Sequence, residues 1–383
     1  MIVAINLIGL PSTHQGGAGF YAGTLIRSLA ASGHVRLRIV AARAVLEELS
    51  GIVGPVDAVA ATATRPSRAR RGLDAARSLR DPRLFDAQPQ LTGALRGCDV
   101  VHYPLSFMAG PLHQAPSVVT GVDLQHLAYP TFFPRLDRVL RRLRWHPALR
   151  RAQRIIAFSE FGRQELVRGL QLDPAAIDVV HAACADEFFM TPPVAPRRDL
   201  GRRYLFYPAS PLPAKNHGRL LEAFARVIGH PDVGGDLDLV LSGPLGHDWS
   251  AVHAAVTRLS LEDRVVLTGH TSLEELRGHY AGATAMIFPS LYEGFGIPLV
   301  EAMASGCPIA ASDVASVPEV VGDGALLLDP TDVGSIERGI IAVIQLNAVD
   351  RTALIQRGRS RARRFDARSM ADATLATYER VVA

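Results

Sequence analysis

Short apolar runs alternate with amphipathic stretches along almost the whole chain. MIVAINLI, VRLRIVAA, CDVVHYP, PSVVTGVD and RIIAFS are near-continuous apolar runs, the pattern of strands buried on both faces. Between them lie helical patterns such as GAGFYAGTLIRSLAASG, closed by a glycine where a helix C-cap belongs. The alternation stops at FFMTPPVAPRRDLGRR, residues 188–203, whose Pro and Arg content reads as a linker. It then restarts. Strand patterns YLFYPAS, LDLVLSG, RVVLTG, TAMIFPS, PIAASD and GALLLDP interleave with helical patterns GRLLEAFARVI, SLEELRGHYAGA and IPLVEAMASG, before a helical tail, FDARSMADATLATYERVVA. Strand–helix alternation predicts parallel sheets with helices on both faces. The fold class expected is α/β, with two doubly wound, Rossmann-like domains joined by a hinge. Ligands of such sheets bind beyond the carboxyl ends of the strands, so a cleft between the halves is the expected site.

Composition fits this picture. A chain of 383 residues suffices for two domains, placed at 1–190 and 200–366, with a C-terminal helix at 367–383 packing back on the first. Hydrophobic content of 48% with 20% charged residues is globular rather than disordered. No apolar run approaches a membrane span, and the start lacks a basic leader, so INLIGL reads as a first strand. Cys98, Cys184 and Cys307 form no paired motif, which fits a reducing cytoplasm. Of 41 basic residues only Lys215 is a lysine; the other forty (41 minus 1) are arginine. An ammonium is a compact point charge where guanidinium is a wide fork, so a tight anion site can demand lysine. Two basic stretches stand apart. Residues 60–96, with TRPSRARRGLDAARSLRDPRLF, read as a surface insertion. RLDRVLRRLRWHPALRRAQR reads either as a solvated helix over a sheet or as an amphipathic helix on anionic lipid through Leu, Val and Trp145. Neither carries the interleaved aromatics of a nucleic-acid surface.

The densest chemistry lies in FPSLYEGFGIPLVEAMASGCPIAASD. A strand ending at Phe288 feeds a loop with Glu293, Gly294, Phe295 and Gly296; Ile297 and Pro298 then open a helix. Glycines admit a ligand close to the backbone, and a helix start offers N–H groups to phosphate. Glu301, eight positions after Glu293, is expected in the first helical turn. One carboxylate can accept two hydrogen bonds from a vicinal diol, so two beside a phosphate site suit a ribose and a sugar. Lys215 follows YLFYPAS, hence lies at a strand's carboxyl end; its neighbours Asn216 and His217 read equally as turn and cap residues. GAGFYA fits a dinucleotide fingerprint, but Pro11–Gly16 intervene after the strand and no acid ends the second strand, which argues against a nicotinamide site. His102 in VVHYP is a lone histidine at a strand end, more often structural than catalytic, and no metal-ligand spacing occurs.

EGFGIPLVE resembles the E-x7-E motif of glycosyltransferase family 4, retaining sugar transferases with the GT-B fold. SDVASVPEVVGDGALLLDP, AFSEFGRQEL, GGAGFYAGTLIRSLA and the AKNH around Lys215 resemble further segments of that family, so the likeness covers most of the chain except residues 60–96. The resemblance implies a donor site in which Lys215 and the amides of Gly294, Phe295, Gly296 and Ile297 hold a diphosphate. It implies Glu301 on the ribose and Glu293 on the donor sugar, with Gly17, Ser210, Asn216, Gly243 and Gly269 also lining the donor. Ser210 stands where the family often has arginine. VVTGVDLQHLAYPTFFP resembles a segment that usually reads His-Asp; here Val122 precedes Asp123, and a histidine follows at His126, as in a branch reading DLQH. Asp123 and His126 are thus expected on the acceptor side, or else as a loop cap and a buried donor. The catalytic set implied is Asp123, His126, Lys215 and Glu293. The activity implied is retaining hexosyl transfer from a nucleotide diphosphate sugar, GDP-mannose first, to a glycan or lipid-linked acceptor. No metal or other cofactor is expected, nucleic acid is not expected as a partner, and peripheral contact with an anionic membrane is. A sugar-nucleotide-binding scaffold without turnover is the alternative. A pyridoxal phosphate phosphorylase would need a Schiff-base lysine, and the single lysine is already placed on the diphosphate.

Overall fold

The structure, a computed structural model, describes residues 1–13, 16–50, 57–61, 93–108, 115–190, 202–230, 233, 235–244 and 248–383. Most of the expected insertion (62–92) and of the expected linker (191–201) lies outside the described residues. The chain forms two units, Met1–Ala183 with Ala367–Ala383, and Cys184–Asp366.

The first unit is built on seven parallel strands: β1 (Ile2–Asn6), β2 (Arg36–Ala42), β3 (Asp57–Ala61), β4 (Val100–Tyr103), β5 (Ser117–Gly121), β6 (Arg154–Ala157) and β7 (Ile177–Val179). Their order is β3-β2-β1-β4-β5-β6-β7. Every residue of β4 and β5 is buried, which is why these strands read as unbroken apolar runs rather than as alternation. Helix α1 (Gly16–Ser32) buries Tyr21, Ala22, Leu25, Ile26 and Leu29, one stripe at helical spacing. Helices α2 (Arg43–Ser50), α3 (Gln125–Ala128), α4 (Arg135–Arg151) and α5 (Glu160–Leu170) complete the layers. Sequence patterning did not reveal β3 or β7, which are short and carry an aspartate each.

The second unit repeats the plan with β8 (Arg203–Pro208), β9 (Leu237–Ser242), β10 (Val265–Gly269), β11 (Ala285–Phe288), β12 (Ile309–Ser312) and β13 (Leu326–Leu328), in the order β10-β9-β8-β11-β12-β13. The helices are α6 (His217–Ile228), α7 (Ser250–Arg258), α8 (Leu273–Gly282), α9 (Ile297–Ser305), α10 (Val317–Val321), α11 (Val333–Ile344) and α12 (Ala348–Ala362). Helix α8 shows how locally these are specified. Ser272 caps it by accepting from Glu275 N at 3.2 Å while Glu275 accepts from Ser272 N at 2.9 Å. In this sheet the chain reverses direction of travel between β8 and β11, which pair with each other. Such a switch point splays the two following loops and leaves a crevice at the carboxyl edge.

The last helix, α13 (Ala367–Val382), belongs to the first unit and packs on α1 and on β4, β5 and β6. Tyr378 is fully buried, and its hydroxyl lies 2.6 Å from His102 Nδ1; His102 Nε2 meets Thr120 Oγ1 at 2.8 Å, and Thr120 Oγ1 meets Tyr21 OH at 3.1 Å. Both nitrogens of His102 are therefore spent on structure. Burial holds the imidazole neutral, its pKa lowered to about 3.

Candidate functional site

The loops after β8 and β11 build the site. After β8 the chain passes through a single tight turn, Pro213–Lys215, and reaches Asn216 in the left-handed region at φ 59° before α6 begins. A non-glycine residue there is strained and must be held by its surroundings. The Asn216 amide does so, donating to Pro289 O at 3.0 Å and Pro330 O at 2.7 Å. The Tyr207 hydroxyl donates to Lys215 O at 2.8 Å, and Leu291 N donates to Ala214 O at 2.7 Å. The lysine backbone is thus tied to the strand it leaves and to the loop after β11. Asn216 stands in the turn at the start of α6, but its side chain makes no capping bond to the helix, its amide being spent on the two proline carbonyls.

The β11 loop is held from beneath by two buried serines. Ser312 Oγ lies 2.9 Å from Phe288 O and 2.7 Å from Ser290 O; Ser316 Oγ lies 3.0 Å from Glu293 O and 3.1 Å from Phe295 O. Phe295 is buried edge-on against Phe365, ring centroids 5.4 Å apart. Gly296 caps α9 at φ 100°, where a Cβ would also strike Leu299 Cδ1 at 2.8 Å, so only glycine fits. Pro298 supplies no N–H, and Leu299 N already donates to Gly296 O at 2.9 Å. The donors that this helix start can turn to an anion are thereby narrowed to those of the loop and of Ile297. Because the helix begins at Ile297, Glu301 is its fifth residue, in the second turn and not the first. The cap at Gly296, rather than the Glu–Glu spacing, sets that register.

Lys215 and Glu293 meet across the switch point. Lys215 Nζ donates to Glu293 Oε1 at 2.5 Å, with the side chains 22% and 11% exposed, so the pair is largely shielded yet open on one side. Glu301 is held differently: the Tyr280 hydroxyl donates to its Oε2 at 2.9 Å. Burial lifts the Glu301 carboxyl from its ordinary 4.5 to about 7, against the pull of the Tyr280 hydrogen bond. His217, one residue beyond Asn216, is buried against Tyr207 and Trp249, ring centroids 5.1 and 5.7 Å away; burial lowers it to about 4, and the Lys215 charge adds to the shift.

Other expected site residues fall in three places. Gly243 follows β9 and Gly269 ends β10 on the same carboxyl edge, and the two are bonded directly, Gly243 N to Gly269 O at 3.0 Å. A Cβ on Gly243 would meet Ala209 O at 2.8 Å, so close packing accounts for that glycine. Ser210 is half-buried, its carbonyl accepting from Leu212 N at 2.8 Å. In the first unit, Gly17 is exposed in the first turn of α1, where a Cβ would meet nothing within 4 Å; no packing demand explains a glycine there. Asp123 Oδ1 accepts from Gln125 N at 3.1 Å, the loop-cap geometry, and Val122 N donates to Ser106 Oγ at 2.9 Å. His126 is only 1% exposed. It lies under α4, with Nε2 3.3 Å from His146 Nε2, Trp145 edge-on at 5.4 Å, and Nδ1 buried without a partner. Burial, with His146 and nearby arginines, lowers it to about 4. The structure thus gathers Lys215, Asn216, Glu293 and the Gly294–Ile297 segment around one switch point, with Glu301 a turn further along α9. Sequence reading missed Tyr280, Tyr207, Ser312 and Ser316. Tyr280 stands in a charged helix, Tyr207 within an apolar strand, Ser312 at a strand end and Ser316 just before a helix, places where a hydroxyl residue carries no sequence signal of its own.

The Glycosyltransferase Family 4 model matches residues 15–188 and the Glycosyl transferases group 1 model residues 193–361. The O-antigen chain mannosyltransferase B of Escherichia coli is 30% identical over 287 residues, 73% of this chain and 74% of that protein. The chain belongs to glycosyltransferase family 4. This family-4 glycosyltransferase is also 32% identical to the MMP alpha-(1->4)-mannosyltransferase of Mycolicibacterium hassiacum over 243 residues, 61% of this chain but 56% of that one. Its fold is GT-B. The sucrose-phosphate synthase of Thermosynechococcus elongatus superposes with TM-score 0.75 at 18% identity, covering 99% of this chain and 98% of that one. Anabaena HepE, solved with UDP and glucose, superposes with TM-score 0.71 at 18% identity, covering 99% and 100%.

Proposed function

We propose that this family-4 glycosyltransferase moves a hexose, with retention at the anomeric carbon, from a nucleotide diphosphate sugar to a glycan or lipid-linked saccharide, and that the donor is GDP-mannose. The carrying observation is the Lys215–Glu293 pair at the switch point beside the glycine-capped start of α9. When the anomeric C–O bond breaks, negative charge grows on the leaving diphosphate. A fixed ammonium and oriented amides then stabilise the transition state more than the ground state. In this reading Lys215 and the amides from Gly294 to Ile297 take the diphosphate without a metal. Glu301 accepts from the ribose and Glu293 from the sugar. The acceptor hydroxyl attacks on the face the diphosphate leaves, and its proton passes to a departing phosphate oxygen. Asp123, rather than the enclosed His126, is then the residue of its segment that serves the acceptor. Mannose is supported by the names of the O-antigen and mycobacterial relatives.

The test is a panel of GDP, UDP, ADP and dTDP sugars. GDP-mannose should raise the melting temperature most, since a donor bound to the folded state stabilises it. Transfer or slow donor hydrolysis should accompany it, and Lys215→Ala and Glu293→Ala should each lower turnover by about 100- to 1000-fold. Donor binding with no turnover under any condition would leave a binding scaffold in place of an enzyme. Loss of activity with EDTA would remove the metal-free reading.

A further inference from the structure

We propose that Glu293 makes the site select against a bare nucleoside diphosphate: its carboxylate masks the Lys215 charge unless a sugar engages it, which also drives the nucleotide product off after transfer. The inference rests on the donor-site reading above and adds a second task to Glu293. The ammonium donates to Glu293 Oε1 at 2.5 Å. Its other close neighbour is apolar, the Phe288 ring, with the centroid 6.0 Å away. Neither backbone is free to retreat. Tyr207 and Leu291 hold the lysine turn, through Lys215 O at 2.8 Å and Ala214 O at 2.7 Å. The Ser316 hydroxyl donates to Glu293 O at 3.0 Å and, at 3.1 Å, to Phe295 O. Only rotation of the side chains can part the pair.

The pair carries no net charge, and Ser210, half-buried on the same loop, adds none. A diphosphate that approaches Lys215 therefore lies against a carboxylate of like sign. Its oxygens are acceptors, so it gives Glu293 no hydrogen bond in return for the ammonium it draws away. With the Glu293 side chain 11% exposed, a carboxylate left without a donor is costly. A sugar changes this, because its hydroxyls donate to the carboxylate while the ammonium turns to the phosphate. Once the sugar has passed to the acceptor, those donors have gone with it. Glu293 then competes again for Lys215 against the diphosphate left behind, and product leaves. Two plainer roles make other predictions. A residue that only touches the sugar has no effect on a bare nucleotide, and one that only supports Lys215 helps a bare nucleotide to bind.

The experiment is calorimetric titration of the full chain with GDP-mannose, GDP and inorganic pyrophosphate, the last independent of base and sugar. Glu293→Gln should bind GDP and pyrophosphate at least about 10-fold more tightly than wild type, and added salt should reduce the gain. GDP-mannose should gain less, so its advantage over GDP should shrink. Glu293→Ala, which keeps no hydrogen-bonding atom, should show the same tightening, because removal of the charge is what matters. Lys215→Ala added to either variant should abolish it. The proposal is overturned if neither Glu293 variant binds GDP or pyrophosphate more tightly than wild type. Unchanged affinity would leave Glu293 a sugar contact, and weaker binding a support for the lysine. A gain that survives Lys215→Ala overturns it as well. Failure of the donor-site reading looks different: Lys215→Ala in the otherwise wild-type chain would leave the affinity for GDP and GDP-mannose unchanged.

Discussion

Lys215 is held on three sides before any ligand arrives: by Tyr207 at its carbonyl, by Glu293 at its ammonium and by the strained Asn216 that follows it. That arrangement places one charge in a fixed direction. Lys215→Arg should therefore fail to restore turnover, because a guanidinium cannot occupy a point-charge position shaped by a short ion pair. Steady-state kinetics on the two variants decides it. Glu301 makes a second prediction. Its carboxyl titrates at about 7, so a ribose that needs the carboxylate as acceptor should bind more tightly as pH rises from about 6 to about 8. Glu301→Gln should flatten that dependence in calorimetric titrations with the nucleotide. The position of Lys215 was legible in sequence from its place after a strand. The register of Glu301 was not, since it depended on where Gly296 let the helix begin.

At the level of elements, the site exists because two non-consecutive strands, β8 and β11, lie side by side and send their loops to the same edge. Asn216 joins those loops through Pro289 and Pro330. Asn216→Ala removes both bonds and leaves two buried carbonyls without a donor, so it should cost about 1–3 kcal/mol by chemical denaturation and lower donor affinity with it. Helix α13 is the corresponding element of the first unit. Its periodicity marked it as a helix, but nothing in the periodicity says which sheet receives it. Tyr378→Phe keeps the packing and breaks only the hydroxyl contact to His102, which should destabilise the first unit by about 1–3 kcal/mol in the same measurement.

Among the described residues, burial lowers four imidazoles: His102 to about 3, His126 and His217 each to about 4, and His146 in the same direction. Unfolding returns each toward its ordinary 6.5, so below that pH the unfolded chain binds more protons than the folded one. Stability present above pH 6.5 is thus lost as pH falls through the lowered values. Glu301 acts in the opposite sense, its protonated form favouring the fold and that contribution fading as pH rises from about 4.5 to about 7. Four imidazoles against one carboxyl should leave a melting temperature that drops between about pH 6.5 and about pH 4. A melting temperature that rises over that interval would show that these rings are not held neutral.

Hydrophobic periodicity alone determined the α/β class, the two runs of strand and helix, and the loops that carry the candidate chemistry. Each of those is a property of local spacing and of turn-forming residues, and local spacing is what a sequence states directly. Strand order, the meeting of Lys215 with a glutamate 78 positions away and the enclosure of His126 beneath α4 came from tertiary structure. These depend on which surfaces are left to pack after the sheets assemble, a sum over contacts distant in the chain that no window of sequence contains.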